Sequence, residues 1–173
     1  MAGRVEKTNA MRLLDARKVP YEIYTYDPAI HSAVEVAAVL GLPPEQVYKT
    51  LVMLRERGRP LLVMVPGNAE VDPRRLARSL GERSVRMAPR QEAERLTGLQ
   101  VGGIAALALV GKPFDVYLDR SALAHERILV NGGRRGLNLG IAVKDLIDIT
   151  GARLVDAIAY LEEPELAAPD REE

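Results

Sequence analysis

The sequence predicts one α+β domain, and three observations support this prediction. Two apolar runs with strand composition, residues 47–54 and 60–66, flank the breaker segment 55–59, as in a β-hairpin. Several short segments between the strands combine a helix N-cap residue with a terminal glycine. The 173 residues are 47% apolar, which is enough for one hydrophobic core without a disulfide or metal.

Short helices and strands follow one another along the chain. Capping residues and apolar spacing predict helices at residues 8–17, 32–41, 72–81, 90–96 and 143–149. Alternation and β-propensity predict strands at residues 21–26, 47–54, 60–66, 84–87, 114–119, 127–131 and 137–141, with an edge strand at 153–159. Residues 67–71 are predicted to be a loop. The hairpin of 47–54 with 60–66 is expected to form the centre of the sheet.

Composition excludes several classes of site. The chain has no cysteine, which excludes a disulfide framework, a thiol nucleophile and a thiolate metal site. Its two histidines, His31 and His125, cannot form a three-histidine metal centre. Basic and acidic residues number 24 each, so no net charge attracts the chain to nucleic acid. Any contact with RNA must therefore be local.

The ends of the chain give the expected location and domain limits. The N-terminal residues lack the apolar core of a signal peptide, and no apolar run approaches the ~20 residues that span a bilayer. The sequence therefore predicts a cytoplasmic protein without a membrane partner. Residues 161–173 are acidic and contain proline, so we predict a folded domain at 1–160 and a disordered tail at 161–173.

Lys49 is the main candidate for a functional residue. It lies in the middle of the apolar strand 47–54, in a chain that has five lysines against nineteen arginines. A primary amine is a compact point charge whose pKa falls on desolvation, which suits it to chemistry or to contact with an anion. The alternative is a structural role, in which the stem lies along the sheet and the ammonium reaches water or protects an edge strand.

Three further features permit either a functional or a structural interpretation. The adjacent glycines Gly102 and Gly103 allow close approach of backbone N–H groups to a ligand, or form a simple turn. The Gly-Gly-Arg-Arg-Gly run at 132–136 is a hairpin turn that could also form a cationic backbone nest. It lacks the Gly-Lys-Ser/Thr ending of a phosphate-binding P-loop. His31 precedes a helix cap and could bind a ligand or only its own loop.

These motifs, in this order, resemble the YbaK/EbsC family of aminoacyl-tRNA deacylases, which is related to the editing domain of bacterial prolyl-tRNA synthetases. The resemblance rests on Gln-Val-Tyr-Lys-Thr-Leu at 46–51, on Thr-Gly at 97–98 with Val-Gly-Gly-Ile at 101–104, and on Gly-Gly-Arg-Arg-Gly-Leu at 132–137. It spans about residues 8 to 158. It implies a curved, mixed and mostly antiparallel β-sheet or partial barrel with surrounding helices.

The resemblance also implies an activity, the release of a wrongly attached amino acid from the 3′ end of a tRNA. In such enzymes the lysine matching Lys49 faces the aminoacyl ester, and catalysis depends on positioning and electrostatics with water, a ribose hydroxyl or a substrate thiol as the attacking group. No cofactor and no metal is expected. Lys49 is the expected catalytic residue, and the expected substrate-binding residues are Tyr26, His31, Gly102, Gly103, Ile104, Asn131, Gly132, Gly133 and Asn138.

The chain departs from the cysteine-specific members of this family at several positions. Those members carry Ser-Pro after Gly-Gly-Ile, where this chain has Ala105 and Ala106. They also carry a serine at the position of Asn131 and an aspartate at the position of Asn138. Because a buried polar group of the substrate would meet different partners, the accepted amino acid stays open, with cysteine first and alanine or serine as alternatives.

The leading hypothesis is a free-standing trans-editing deacylase that acts on mischarged tRNA, with the tRNA for proline as the expected tRNA and prolyl-tRNA synthetase as a partner to test. One alternative is a catalytically silent module of the same fold that binds a tRNA end or a synthetase. A second alternative is a hydrolase of small-molecule esters, which would turn over without tRNA. The sequence does not predict an oligomeric state.

Overall fold

The computed structural model describes residues 5–30 and 32–160. The helices in these residues are α1 Asn9–Ala16, α2 Ala33–Leu40, α3 Pro73–Leu80, α4 Arg90–Thr97 and α5 Val143–Thr150. The strands are β1 Glu22–Thr25, β2 Tyr48–Arg55, β3 Leu61–Pro66, β4 Ala69–Val71, β5 Val85–Met87, β6 Asp115–Asp119, β7 Arg127–Asn131, β8 Leu137–Ala142, β9 Arg153–Val155 and β10 Ile158–Tyr160. Short 3-10 helices occur at Pro44–Gln46, Ala106–Leu109 and Arg120–Ala124.

The strands form three sheets. A five-stranded sheet has the order β5-β2-β3-β6-β9, in which β2 pairs antiparallel with β5 and β3 while β6 pairs parallel with β3 and β9. A three-stranded antiparallel sheet has the order β1-β8-β7, and β4 pairs with β10. A bridge between Val47 and Leu129 connects the two larger sheets. The predicted single α+β domain with mixed sheets is confirmed, and the described residues form no closed barrel.

Strand β3 is the centre of the fold, as predicted for the hairpin. All six of its residues are buried, because it has a strand on each edge and apolar side chains on both faces. Leu62 and Met64 pack into the larger core with Val52 of β2. On the other face Val63 and Val65 pack into a second core. A strand covered on both faces shows a continuous apolar run instead of alternation.

Local capping signals fix the helix ends as predicted. The Thr8 hydroxyl accepts the Met11 N–H at the start of α1, and the Ser32 hydroxyl accepts the Glu35 N–H at the start of α2. The Asp72 carboxylate caps α3 by accepting two backbone N–H groups. These contacts lie within one helical turn of the cap, so the sequence is sufficient to locate them.

Two predictions about strands are wrong. Residues 67–71 are not only a loop, because they contain β4, and residues 153–159 are two strands, β9 and β10, in different sheets. The buried Asp119 carboxylate accepts the Ala157 N–H at 2.9 Å, between the two strands. This contact helps the chain leave the five-stranded sheet and pair with β4, and it joins residues 38 positions apart. Local patterns do not contain that information.

The predicted disordered tail at 161–173 lies outside the described residues, so it stays a prediction. Within residues 5–30 and 32–160 no helix has both the length and the apolar character needed to cross a membrane.

Candidate functional site

A pocket opens where the outer edge of β2 has no strand partner. β5 pairs with β2 only from Met53 onward, and the bridge to β7 lies at Val47. The Val52 carbonyl accepts the Ala88 N–H on this outer edge, whereas the Val47 carbonyl accepts the Gly67 N–H on the β3 side. Because alternate residues of a strand direct their N–H and C=O to the same edge, the backbone of Thr50 points toward the pocket.

The pocket is small and mostly apolar. Its volume is about 180 Å³, below the ~300–1,000 Å³ of pockets that hold drug-sized ligands. It therefore suits a group of the size of one small amino acid. The walls come from the segment 26–30 after β1, the start of α2, the edge of β2, the segment 101–104, and residues of β7 and β8. The lining residues are Tyr26, Ile30, Ala33, Val36, Val47, Tyr48, Lys49, Thr50, Leu51, Val101, Gly102, Ile104, Asn131 and Asn138.

Among the described residues, Lys49 is the one charged residue in this lining and no carboxylate belongs to it. Partial burial desolvates its amine and holds the Lys49 pKa below its ordinary value of 10.5, while the Glu70 carboxylate acts in the opposite direction. Glu70 belongs to β4, the strand that the sequence did not predict. The site therefore combines a partly desolvated ammonium with apolar walls, an arrangement that favours an electron-rich ligand.

We expect Lys49→Met to stabilise the protein at neutral pH by ~0.5–2 kcal/mol, because functional sites retain groups that destabilise the fold. Since the folded-state pKa of Lys49 is lowered, the unfolded chain binds more protons and the natural protein gains stability as pH rises toward 10.5. The advantage of Lys49→Met should therefore shrink over that range. Urea unfolding at several pH values measures it, and a variant less stable than the natural protein at neutral pH would contradict this expectation.

Tyr26 and Asn138 form one wall of the pocket. The Tyr26 hydroxyl donates to Asn138 Oδ1 at 3.4 Å, and the Tyr26 N–H donates to the Gly136 carbonyl at 3.0 Å. Burial raises the pKa of Tyr26, against a smaller opposing effect of a hydrogen bond from the Gly136 backbone. Tyr26 therefore stays a neutral hydroxyl. Asn138 is 4% exposed and contributes a neutral amide to this wall.

Asn131 connects the two glycine segments. Its Nδ2 donates to the Gly102 carbonyl at 2.7 Å, and its Oδ1 accepts the Gly133 N–H at 2.7 Å. Asn131 is also the cross-strand partner of Asn138 in the β7–β8 pair. The amide of Asn131 is thus used to hold Gly102 at the pocket wall.

The structure places the sequence-predicted site residues in two groups. Lys49, Tyr26, Gly102, Ile104, Asn131 and Asn138 all line the pocket. Gly103, Gly132 and Gly133 lie next to it, with Gly103 against the backbone of Arg134 and Gly132 against Leu137. His31 lies outside the described residues. The roles of these residues in binding and catalysis stay predictions.

Sequence reasoning missed the apolar walls and Thr50. Ala33 and Val36 carry no chemical signal, and only the packing of α2 beside β2 brings them to the pocket. Thr50 follows Lys49 and could have been noticed for that reason. Its hydroxyl is buried and has no hydrogen-bond partner among the described residues. His125 lies outside the pocket lining, with its ring edge-on to the Tyr48 ring at 6.5 Å.

The fold and the pocket together define a class, a small α+β domain that holds a compact ligand between a sheet edge and a glycine-rich segment. A solved structure described as a candidate trans-editing enzyme for prolyl-tRNA synthetase has the same fold, with a TM-score of 0.74, 26% identity, and coverage of 90% of this chain and 99% of that chain. Residues 27–149 match the family model of the aminoacyl-tRNA editing domain. The chain belongs to this family.

Two curated relatives agree with the family assignment. A protein of Enterococcus faecalis named as a candidate Cys-tRNA(Pro)/Cys-tRNA(Cys) deacylase, EbsC, is 32% identical over 153 residues, which cover 87% of this chain and 93% of that protein. A proline–tRNA ligase of Thermodesulfovibrio yellowstonii is 38% identical over 81 residues, which cover 47% of this chain and 14% of the ligase. The predicted resemblance to the YbaK/EbsC family is therefore confirmed.

Proposed function

We propose that this protein is a trans-editing deacylase that releases a mischarged small amino acid from the 3′ end of a tRNA. The observation that carries the proposal is the partly desolvated amine of Lys49 in a pocket of about 180 Å³ that Gly102 also lines. An aminoacyl ester needs a cation or N–H donor near the oxygen on which negative charge develops, and low polarity strengthens that contact. The family relationship supplies the class of ester.

The geometry supports a role for each wall of the pocket. Lys49 would contact the ester or the terminal ribose with its ammonium, and the N–H of Gly102 would bound the carbonyl, since the N–H groups of Val101 and Gly103 donate to Glu94 and to the Gln100 carbonyl. Tyr26 and Asn138 would contact polar atoms of the amino acid as neutral partners. No sulfur nucleophile exists in the chain, so we infer that water, a ribose hydroxyl or a group of the substrate attacks the carbonyl carbon. Positioning of the ester and the attacking group then provides most of the rate acceleration.

Pocket size supports a small amino acid, and cysteine is our first choice with alanine and serine as alternatives. The tRNA for proline is the proposed carrier, because the named substrates of EbsC include Cys-tRNA(Pro) and because a proline–tRNA ligase shares part of this sequence. Prolyl-tRNA synthetase is a proposed partner, since a neutral chain lacks a general attraction for RNA. We place this activity in the cytoplasm, where tRNA is charged.

A panel of charged tRNAs tests this function. Labelled Cys, Ala, Ser and Pro on the tRNA for proline, and Cys on its own tRNA, are incubated with the protein, with and without prolyl-tRNA synthetase. We expect faster release of at least one small mischarged amino acid than in buffer, with Pro retained. Release of Ala or Ser would show that a substrate thiol is not required. The absence of any acceleration would contradict the enzymatic function.

A silent binding module is the second candidate, and one observation favours it. Asn138 and Ala105 stand where cysteine-specific relatives carry a carboxylate and a hydroxyl, and Asn138 is buried in the pocket wall. Such a module would bind the tRNA or the synthetase without loss of the ester. Binding of charged tRNA, measured beside deacylation, separates the two functions.

A further inference from the structure

Two neighbouring arginines in the turn between β7 and β8 point in different directions. The Arg134 Nη1 donates to the Glu6 carbonyl at 2.8 Å, toward the N-terminal segment. The Arg135 Nε donates to the Val101 carbonyl at 2.9 Å, and Val101 lines the pocket. Arg134 is exposed, whereas Arg135 is partly buried. Arg135 therefore stands at the rim of the pocket, and Arg134 is directed elsewhere.

Gly102 allows this position of Arg135. A Cβ atom placed on Gly102 would lie 3.4 Å from both Cγ and Nε of Arg135, so the side chain packs directly over the glycine. Gly102 is itself held by Asn131, and the Val101 N–H is held by the Glu94 carboxylate at 3.0 Å. The guanidinium is thus fixed to a segment that is anchored on both sides.

The charge of Arg135 is not neutralised within the described residues. No carboxylate there lies within ion-pair distance of it. Glu94, the carboxylate that contacts the same segment, is paired with Arg90 at 3.5 Å. The hydrogen bond to Val101 uses only Nε, and no bond within the described residues uses the two terminal nitrogens of Arg135. A planar fork of N–H groups with fixed orientation matches two oxygens of a phosphate.

We propose that Arg135 binds the 5′-phosphate of the terminal nucleotide whose aminoacyl ester enters the pocket, and this rests on the proposed function. The ester is attached to the terminal ribose, so the phosphate of the same nucleotide lies a few bonds away, outside a pocket that admits only a small group. A chain of zero net charge needs a local cation for this contact. Arg135 is then a positioning residue that selects nucleotide-linked esters.

The test uses two minimal substrates that differ only in the phosphate, 3′-O-aminoacyl adenosine and 3′-O-aminoacyl adenosine 5′-monophosphate. We expect the phosphate to raise kcat/KM of the natural protein about tenfold, the effect of one charged hydrogen-bonding contact. In Arg135→Gln the two substrates should react within about twofold of each other. Any displacement of the Val101 segment by the substitution affects both substrates equally, so the ratio reports the phosphate contact alone.

Arg134→Gln is the matched control, because it removes the same charge from the same turn and should keep the tenfold ratio. With charged tRNA, the dependence of log KM on log salt concentration should become shallower by about 0.7 in Arg135→Gln but not in Arg134→Gln. A full phosphate effect in Arg135→Gln, or equal effects of the two substitutions, would overturn the assignment while deacylation itself persists. If the natural protein releases no amino acid from any substrate, the proposed function fails, and this assignment fails with it.

Discussion

Lys49→Ala is expected to lower the single-turnover rate of deacylation by about 10²–10³-fold, the effect of removing one donor that stabilises charge in the transition state. Among the described residues that line the pocket, Lys49 supplies the one positive charge. The rate is measured with the mischarged tRNA that the natural protein accepts best. Lys144→Ala, on an exposed face of α5 away from the pocket lining, is the control and should keep the natural rate.

The pH dependence of deacylation by the natural protein and by Lys49→Arg gives the charge state of the Lys49 amine. Because desolvation lowers the Lys49 pKa, an ammonium that stabilises the ester oxygen is lost as pH rises through a value below 10.5. The enzymatic rate, after subtraction of the buffer rate, should therefore fall at high pH. Lys49→Arg keeps its charge throughout, so any activity it retains should not show this fall. A rate that increases through the same range would instead indicate a neutral amine acting as a base.

Gly136→Ala should destabilise the protein by ~3 kcal/mol, the combined cost of a left-handed backbone and an overpacked contact. Gly136 has φ +82°, and a Cβ atom there would lie 2.8 Å from the Tyr26 carbonyl oxygen. That oxygen belongs to backbone and cannot turn away. Gly111 has the same φ of +82° with no atom within 4 Å of an added Cβ, so Gly111→Ala is a matched control that should cost only ~1 kcal/mol.

The two glycine variants also differ in their expected effect on activity. Gly136 lies beside Tyr26 and two residues before Asn138, so displacement of this turn moves one wall of the pocket. Gly136→Ala should lower deacylation even at temperatures where it remains folded, whereas Gly111→Ala should not. Urea unfolding and deacylation of the same preparations measure both effects. Equal destabilisation by the two substitutions would show that steric contact with Tyr26 is unimportant.

Most of the secondary structure was predictable because its signals are local. The hydroxyl of Ser32 and the left-handed Gly41 define α2 without reference to the rest of the chain. The continuous apolar run of β3 likewise predicts a buried strand. By contrast, β4 has only three residues, and its pairing with β10 depends on a contact far along the chain. Three-residue strands have too little pattern to be separated from a loop.

The sequence by itself determined the class of this protein. The amine at position 49, the two glycine segments and their order predict the aminoacyl-tRNA editing family, because each requires a residue type that few others can replace. The sequence also excluded thiol chemistry, since the chain contains no cysteine. These conclusions need only the identity and the spacing of residues, and the linear sequence contains both.

Only the tertiary structure decided how large the pocket is and which residues surround it. The opening exists because β5 begins to pair with β2 six residues after the bridge at Val47, and α2 supplies walls without any chemical signal. Two adjacent arginines in the same turn make different contacts: Arg134 donates to the Glu6 carbonyl and Arg135 donates to the Val101 carbonyl at the pocket. Side-chain direction and the end of strand pairing are set by packing between distant segments, so they appear only when the chain is folded.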